Sequence, residues 1–169
     1  MVKRSSEAGF TLVEIMLGSG ILVFALCGIL AAFISCMALS STSKNVNIAT
    51  NAALEIAEQI RTTAYTDLSD PVTNGLLING QPFTETFAGS NIFSCHFAVA
   101  VLPSNMVTVY IDTNTAELLG VTISVCWRQN NRVIGEDQNL NGQLEESEDT
   151  NGNDLIDSPV QVVTRVANR

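Results

Sequence analysis

The pattern of apolar and polar positions divides the chain into three stretches. Residues 15–39 are nearly all apolar or small, and no charged side chain stands between Glu14 and Lys44. A bilayer-spanning helix needs roughly 20 such residues. Further on, Ala49, Ala53, Ile56, Ile60 and Ala64 recur at steps of three and four, with Glu55, Glu58 and Arg61 on another face. That is the period of an amphipathic helix. No proline occurs before Pro71. The pattern therefore predicts one helix over 10–65, apolar all round in a first half at 10–39 and two-sided in a second half within 40–68. After Asp70-Pro71 the period changes. Asn74-Gly75 and Asn79-Gly80 are turn signals, and alternating or β-branched runs at 94–102, 106–111, 121–127 and 160–166 predict strands. One long helix followed by strands predicts an α+β fold, with a small antiparallel β-sheet over 69–169 packed on the helix. Phe93, Phe97, Val99, Val109, Ile111, Ile123, Val125 and Trp127 read as its core.

Charge narrows the function classes. The net charge is −9, from seventeen acidic against eight basic residues, and many of the acids fall within 136–157. A nucleic-acid binder needs a basic face to neutralise phosphates, so no nucleic-acid partner is expected. No nucleophile–base spacing, glycine-rich phosphate loop or metal-hydrolase motif is present. His96, the one histidine, lies in a strand-like run and reads as structural. The expectation is that the chain is not an enzyme.

The N-terminus carries more. A short polar segment, residues 1–9 with Lys3 and Arg4, meets the apolar run directly, and basic residues stay on the cytoplasmic side. A secretory signal would have a shorter apolar core and a small-residue cleavage site. A plain anchor has no use for Glu14, a carboxylate just inside the apolar stretch that requires a cation or a proton. Gly9-Phe10-Thr11-Leu12-Val13-Glu14, after a short basic leader, resembles the processing site of type IV prepilins and type II secretion pseudopilins, over about residues 1–40. The resemblance implies cleavage between Gly9 and Phe10 by a prepilin peptidase and N-methylation of Phe10. It also implies a single pass through the inner membrane with an exported C-terminal domain. Assembly with other pilin or pseudopilin subunits would then follow, at the cell surface or in the periplasm. In such a filament Glu14 would neutralise the Phe10 ammonium of a neighbour, because each charge is costly alone in a low dielectric. Gly18, Gly20 and Gly28 lie in the membrane half, where two readings stand: close approach of helices through small residues, or local unwinding where glycine weakens the helix. The helix-kinking proline of many pilins is missing from this half. Residues 121–127 and 160–165 resemble the terminal hairpin of minor pilins, which points to a minor subunit.

Residues 137–148 fit the twelve-residue calcium loop. Asp137, Asn139 and Asn141 take its first, third and fifth places, and Gly142 the sharp turn at the sixth. Gln143 would offer a backbone carbonyl, Glu145 would act directly or through water, and Glu148 stands twelfth. A poorer copy follows, with two readings for Asp149, Asn151, Asn153 and Asp157: ligands of a second ion, or residues that share ions with the first loop. Its sixth place is Asp154 and its twelfth Val160. It resembles the aspartate- and asparagine-rich calcium loops of extracellular repeat proteins more than an EF-hand. With no flanking helix pair in the pattern, the expectation is Ca2+ held by a loop inserted in a β-hairpin, within 136–158. The bland reading is a solvated acidic loop. Cys27 and Cys36 read as small apolar residues of the helix. For Cys95 and Cys126 two readings stand: a disulfide formed in an oxidising compartment, or two buried thiols.

Two function classes follow. The leading one is a structural filament subunit with a calcium-stabilised loop. The other is a non-assembling, membrane-anchored, calcium-dependent adhesin or sensor. Glu14 separates them, since a mere anchor does not need it.

Overall fold

The computed structural model describes residues 9–86, 90–115 and 117–168. The leader segment 1–8, with Lys3 and Arg4, lies outside them. The chain forms two compact units, Met1–Thr42 and Ser43–Arg169.

In the first unit, helix α1 (Leu12–Thr62) begins at Leu12, two residues later than its pattern predicts. Its apolar side chains are exposed all round, Phe24 at 83% and Ile34 at 67%. This helix is long and apolar enough to cross a membrane. Three of its hydroxyls bond back to the helix: Ser19 donates to the Met16 carbonyl, Ser35 to that of Ala31 and Thr42 to that of Ala38. Such back-bonding hides the polar hydrogens of an otherwise apolar surface.

In the second unit the two-sided pattern takes effect. Ala49, Ala53, Ile56, Ala57 and Ile60 are buried, and Glu58 pairs with Arg61 at 2.9 Å on the wet side. The helix stops earlier than the stripe predicts. The Thr62 and Thr63 hydroxyls both donate to the Gln59 carbonyl, at 2.8 and 3.0 Å, and the Thr63 N–H reaches back to Ile60 at 3.1 Å. Hydroxyls that take up backbone acceptors compete with helix continuation. Ala64 is then extended (ψ 140°) and exposed, and the short helix α2 (Tyr65–Ser69) buries Leu68 instead.

Among the described residues eight strands follow. β1 (Leu77–Ile78) and β2 (Gln81–Pro82) form a small hairpin. Its turn residues Asn79 and Gly80 have φ 50° and 78°, as a primed turn requires. The main sheet holds β3 (Thr84–Glu85), β4 (Ile92–Phe97), β5 (Asn105–Asp112), β6 (Leu118–Gln129), β7 (Arg132–Ile134) and β8 (Gln161–Ala167). It is antiparallel, in the order β3-β4-β5-β6-β7, and β8 also pairs with β6. The fold is α+β. β6 pairs with β7 through residues 127–129 and with β8 through 118–124, so residues 135–160 are an insertion between β7 and β8.

Both faces of the sheet's centre are covered. On one face Cys95, Val107, Val109, Ile111, Val121, Ile123, Val125 and Trp127 join the buried stripe of α1. On the other, Tyr110 and Cys126 pack with Ile156 and, at the margin, Ile92, Leu140, Leu144 and Leu155. Four of these come from the acidic insertion, so it is pinned to the sheet. Burying Ile156 completely (0% exposed) contributes about 1.5–3 kcal/mol towards that docking.

The disulfide reading is corrected. Cys95 and Cys126 are both free and buried. They lie on β4 and β6 with β5 between them, on opposite faces. Two strand spacings amount to roughly 9.5 Å, beyond the Cα separation of about 4.4–6.8 Å that a disulfide tolerates. Burial pushes the Cys95 thiol up to about 12 and the Cys126 thiol up to about 11, so both stay protonated.

Candidate functional site

At the N-terminus Gly9 and Phe10 are exposed, Phe10 at 84%. Glu14 makes a reciprocal contact with Thr11. The Thr11 N–H and hydroxyl donate to Glu14 Oε2 at 3.1 and 3.0 Å, and the Glu14 N–H donates to Thr11 Oγ at 3.3 Å. This is a capping box, Thr-x-x-Glu, closing the first turn of α1. The motif is visible in Thr11-Leu12-Val13-Glu14, and the reading of Glu14 as an assembly residue passed over it.

The acidic insertion has its own order. Asp137 is fully buried (0% exposed). Its Oδ1 accepts from the Asn141 N–H at 3.0 Å and its Oδ2 from the Gly142 N–H at 2.8 Å. Asn139 Oδ1 accepts from the Asn141 N–H at 2.9 Å, and Asn141 Oδ1 from the Gln143 N–H at 2.7 Å. The Asn139 and Asn141 amides both reach Glu145 Oε1, at 2.9 and 3.5 Å. Glu148 folds back onto the start of the loop, its Oε1 accepting from the N–H groups of Gln138 and Asn139 at 2.8 and 3.3 Å. Asp137, Asn139, Asn141, Glu145 and Glu148 are thereby gathered on one turn of chain. The Gln143 side chain points to solvent, which leaves its backbone as the contributing group.

The turn depends on Gly142. Its φ is +78°, and a Cβ there would lie 2.4 Å from both Cβ and Cγ of His96 on β4. His96 is thus the floor under the loop, a structural role as its sequence context suggests.

The second loop repeats the scheme. Asp149 Oδ1 accepts from the N–H groups of Gly152 and Asn153 at 2.7 and 3.3 Å, and its Oδ2 from that of Asp154 at 3.2 Å. Asn151 Oδ1 accepts from the Asn153 N–H at 3.0 Å, and Asn153 Oδ1 from the Leu155 N–H at 2.9 Å. The amides of Asn151 and Asn153 converge on Asp157 Oδ2 at 2.6 and 3.1 Å. The fourth and sixth places are left-handed in both loops: Leu140 and Gly142 at φ 58° and 78°, Gly152 and Asp154 at 72° and 60°. Desolvation raises the Asp149 carboxyl, but the N–H groups of Asp154, Gly152, Asn153 and Asn151 outweigh it and hold the group below the usual range.

Tyr110 joins the insertion to the sheet. Its Oη accepts from the Ile156 N–H at 3.2 Å. Burial drives its pKa up to about 12. The Ile156 N–H works against this, and the neighbouring Cys126, Asp137 and Asp157 add to it.

The first loop gathers carboxylate and amide groups of the kind a hard cation takes as oxygen ligands, with the Asn139 and Asn141 amide nitrogens directed at Glu145 Oε1 and their oxygens engaged by backbone N–H groups. Glu148 is 5% exposed, and its Oε2 is buried with no hydrogen-bond partner. A buried charged oxygen without a partner is costly unless a cation meets it. No lysine, arginine or histidine occurs within 136–157 to serve. Comparison with protein-family models, with curated proteins and with solved structures returns no match.

Proposed function

We propose that the chain is a structural subunit of a type IV pilus or related secretion pseudopilus, of the minor-pilin kind. A prepilin peptidase cuts it between Gly9 and Phe10 and methylates the new amine. One observation carries the reading. Gly9-Phe10 and Glu14 stand at the head of a helix whose apolar side chains are exposed all round over residues 12–39, and whose later turns bury Ala49, Ala53, Ile56 and Ile60 in a small α+β domain. A helix of that surface is suited to lipid before assembly and to packing among like helices afterwards.

Glu14 then has two successive roles. In the separate subunit Thr11 donors hold its carboxylate. In the filament it meets the Phe10 ammonium of a neighbouring subunit, where the low dielectric makes the pairing strong and the unpaired state costly. The exported domain carries Ca2+ in the first loop, held by side-chain oxygens of Asp137, Asn139, Asn141, Glu145 and Glu148 and by the Gln143 backbone. The ion's contribution is positive charge, which offsets the crowded carboxylates and rigidifies the insertion. The partners are other pilin or pseudopilin subunits, the peptidase and the inner membrane.

The test is Glu14→Ala in the native host. Processing at Gly9 should proceed, and entry into filaments should fail. A Glu14→Ala chain that assembles normally contradicts the proposal and favours a membrane-anchored adhesin or sensor.

A further inference from the structure

The second loop lacks an acidic residue at its twelfth place, where Val160 stands. The structure places another carboxylate there. In the first loop the twelfth residue makes two diagnostic contacts. The Glu148 N–H donates to the carbonyl of the ninth residue, Glu145, at 2.8 Å, and Glu148 Oε1 accepts from the N–H of the second residue, Gln138, at 2.8 Å. In the second loop both contacts are made by Glu136. Its N–H donates to the carbonyl of the ninth residue, Asp157, at 2.9 Å, and its Oε1 accepts from the N–H of the second residue, Thr150, at 3.2 Å. The Thr150 hydroxyl donates to the same oxygen. Glu136 precedes Asp137 as Glu148 precedes Asp149, so each loop is closed by the glutamate that stands directly before the other.

We infer that Glu136 is the twelfth-place ligand of the second loop, and that the insertion is a reciprocal pair of loops taking two Ca2+ ions. The inference rests on reading residues 137–148 as a calcium loop. Hydrogen bonding sets the correspondence; the pointer to an ion is Glu148. Its Oε2 is buried without a partner, and residue 148 ends the first loop and directly precedes Asp149, the first residue of the second. Charge supports two ions over one. Residues 136–157 hold Glu136, Asp137, Glu145, Glu146, Glu148, Asp149, Asp154 and Asp157 and no basic residue. A single divalent cation leaves most of that charge in mutual repulsion at short range. The pairing also explains why the poorer loop keeps its shape without glycine at its sixth place: Glu136 Oε2 holds the Asp157 N–H at 3.0 Å and so clamps the loop's far end.

The experiment counts bound ions on the full-length chain in detergent, by native mass spectrometry with Ca2+ as the probe and calorimetric titration alongside. The wild-type chain should hold two ions. Glu136→Gln and Asp149→Asn should each hold one, with the affinity of the lost site reduced at least about tenfold. Should Glu136→Gln fail to bury Trp127, Asp149→Asn and Thr150→Val carry the test, because they touch the same loop from its other end. A wild-type chain that holds one ion, lost in Asp137→Asn and kept in Glu136→Gln, overturns the inference and leaves the first calcium loop standing. Two ions in Glu136→Gln at unchanged affinity overturn the role of Glu136. No ion bound to the wild-type chain overturns both readings.

Discussion

Replacing Gly142 by alanine tests whether the acidic insertion rests on the sheet as described. At φ +78° an L side chain costs about 1–2 kcal/mol from the backbone alone. The new Cβ would also lie 2.4 Å from Cβ and Cγ of His96 and 2.8 Å from its Cδ2. Side chain or strand must shift, an overpacking cost of about 1–3 kcal/mol. The total is about 2–5 kcal/mol, or a Tm lower by roughly 5–15 °C for a chain of this size. Gly152 isolates the first part, because its φ is +72° and nothing lies within 4 Å of its would-be Cβ. Gly152→Ala should therefore cost only about 1–2 kcal/mol. Trp127, the one tryptophan and 1% exposed, reports unfolding by its fluorescence. His96→Gly removes the obstructing atoms, so a double-mutant cycle with Gly142→Ala should show a favourable coupling of about 1–3 kcal/mol. Equal losses for Gly142→Ala and Gly152→Ala, or a coupling near zero, would refute the contact between loop and strand.

Further outcomes follow from the same geometry. Saturating Ca2+ should raise the Tm of the exported unit and a chelator should lower it, by about 2.7 kcal/mol of stability per occupied site at a hundredfold excess over its Kd; Asp137→Ala should remove the first loop's share of the response, and an unchanged response counts against the first loop. Alkaline pH should unfold the domain. Tyr110 is raised from 10.0 to about 12 and Cys95 from 9.0 to about 12, so the stability of their protonated forms is intact below pH 9 and is lost as pH rises towards 12. Tyr110→Phe should remove the tyrosine part of that loss, read as a shallower fall in Tm above pH 10. Alkylation of denatured, unreduced protein should label both Cys95 and Cys126, whereas the native fold should protect them; protection that survives denaturation but not reduction would restore the disulfide.

Much of the fold was legible because its signals are local. The stripe through Ala49, Ala53, Ile56 and Ile60 and the alternation through Val121, Ile123, Val125 and Trp127 report directly which side is buried. Of the run 121–127, residues 121–124 pair with the last strand, within a ladder that spans 118–124. The end of α1 did not follow its pattern, because it is decided by Thr62 and Thr63 hydroxyls competing for the Gln59 carbonyl, an effect hydropathy does not carry. β3 and β7, two and three residues long, are too short to show a period. Strand order was equally hidden, so the separation of Cys95 from Cys126 by β5 had no local sign. In the candidate site the first loop was legible through its spacing. Glu136 was not, because it serves a loop that begins thirteen residues after it and only the folded hairpin brings the two together. The capping role of Glu14 lay in plain sight in Thr11-x-x-Glu14 and was obscured by the costlier question of a carboxylate beside an apolar run.

The most direct test of the central claim is the intact mass of the chain isolated from its native membrane or filaments, with and without an active prepilin peptidase. The account predicts a mass of residues 10–169 plus one methyl group when the peptidase is present, and residues 1–9 retained when it is absent. A chain that keeps residues 1–9 beside an active peptidase would contradict it, and would leave a membrane-anchored calcium-binding protein as the better description.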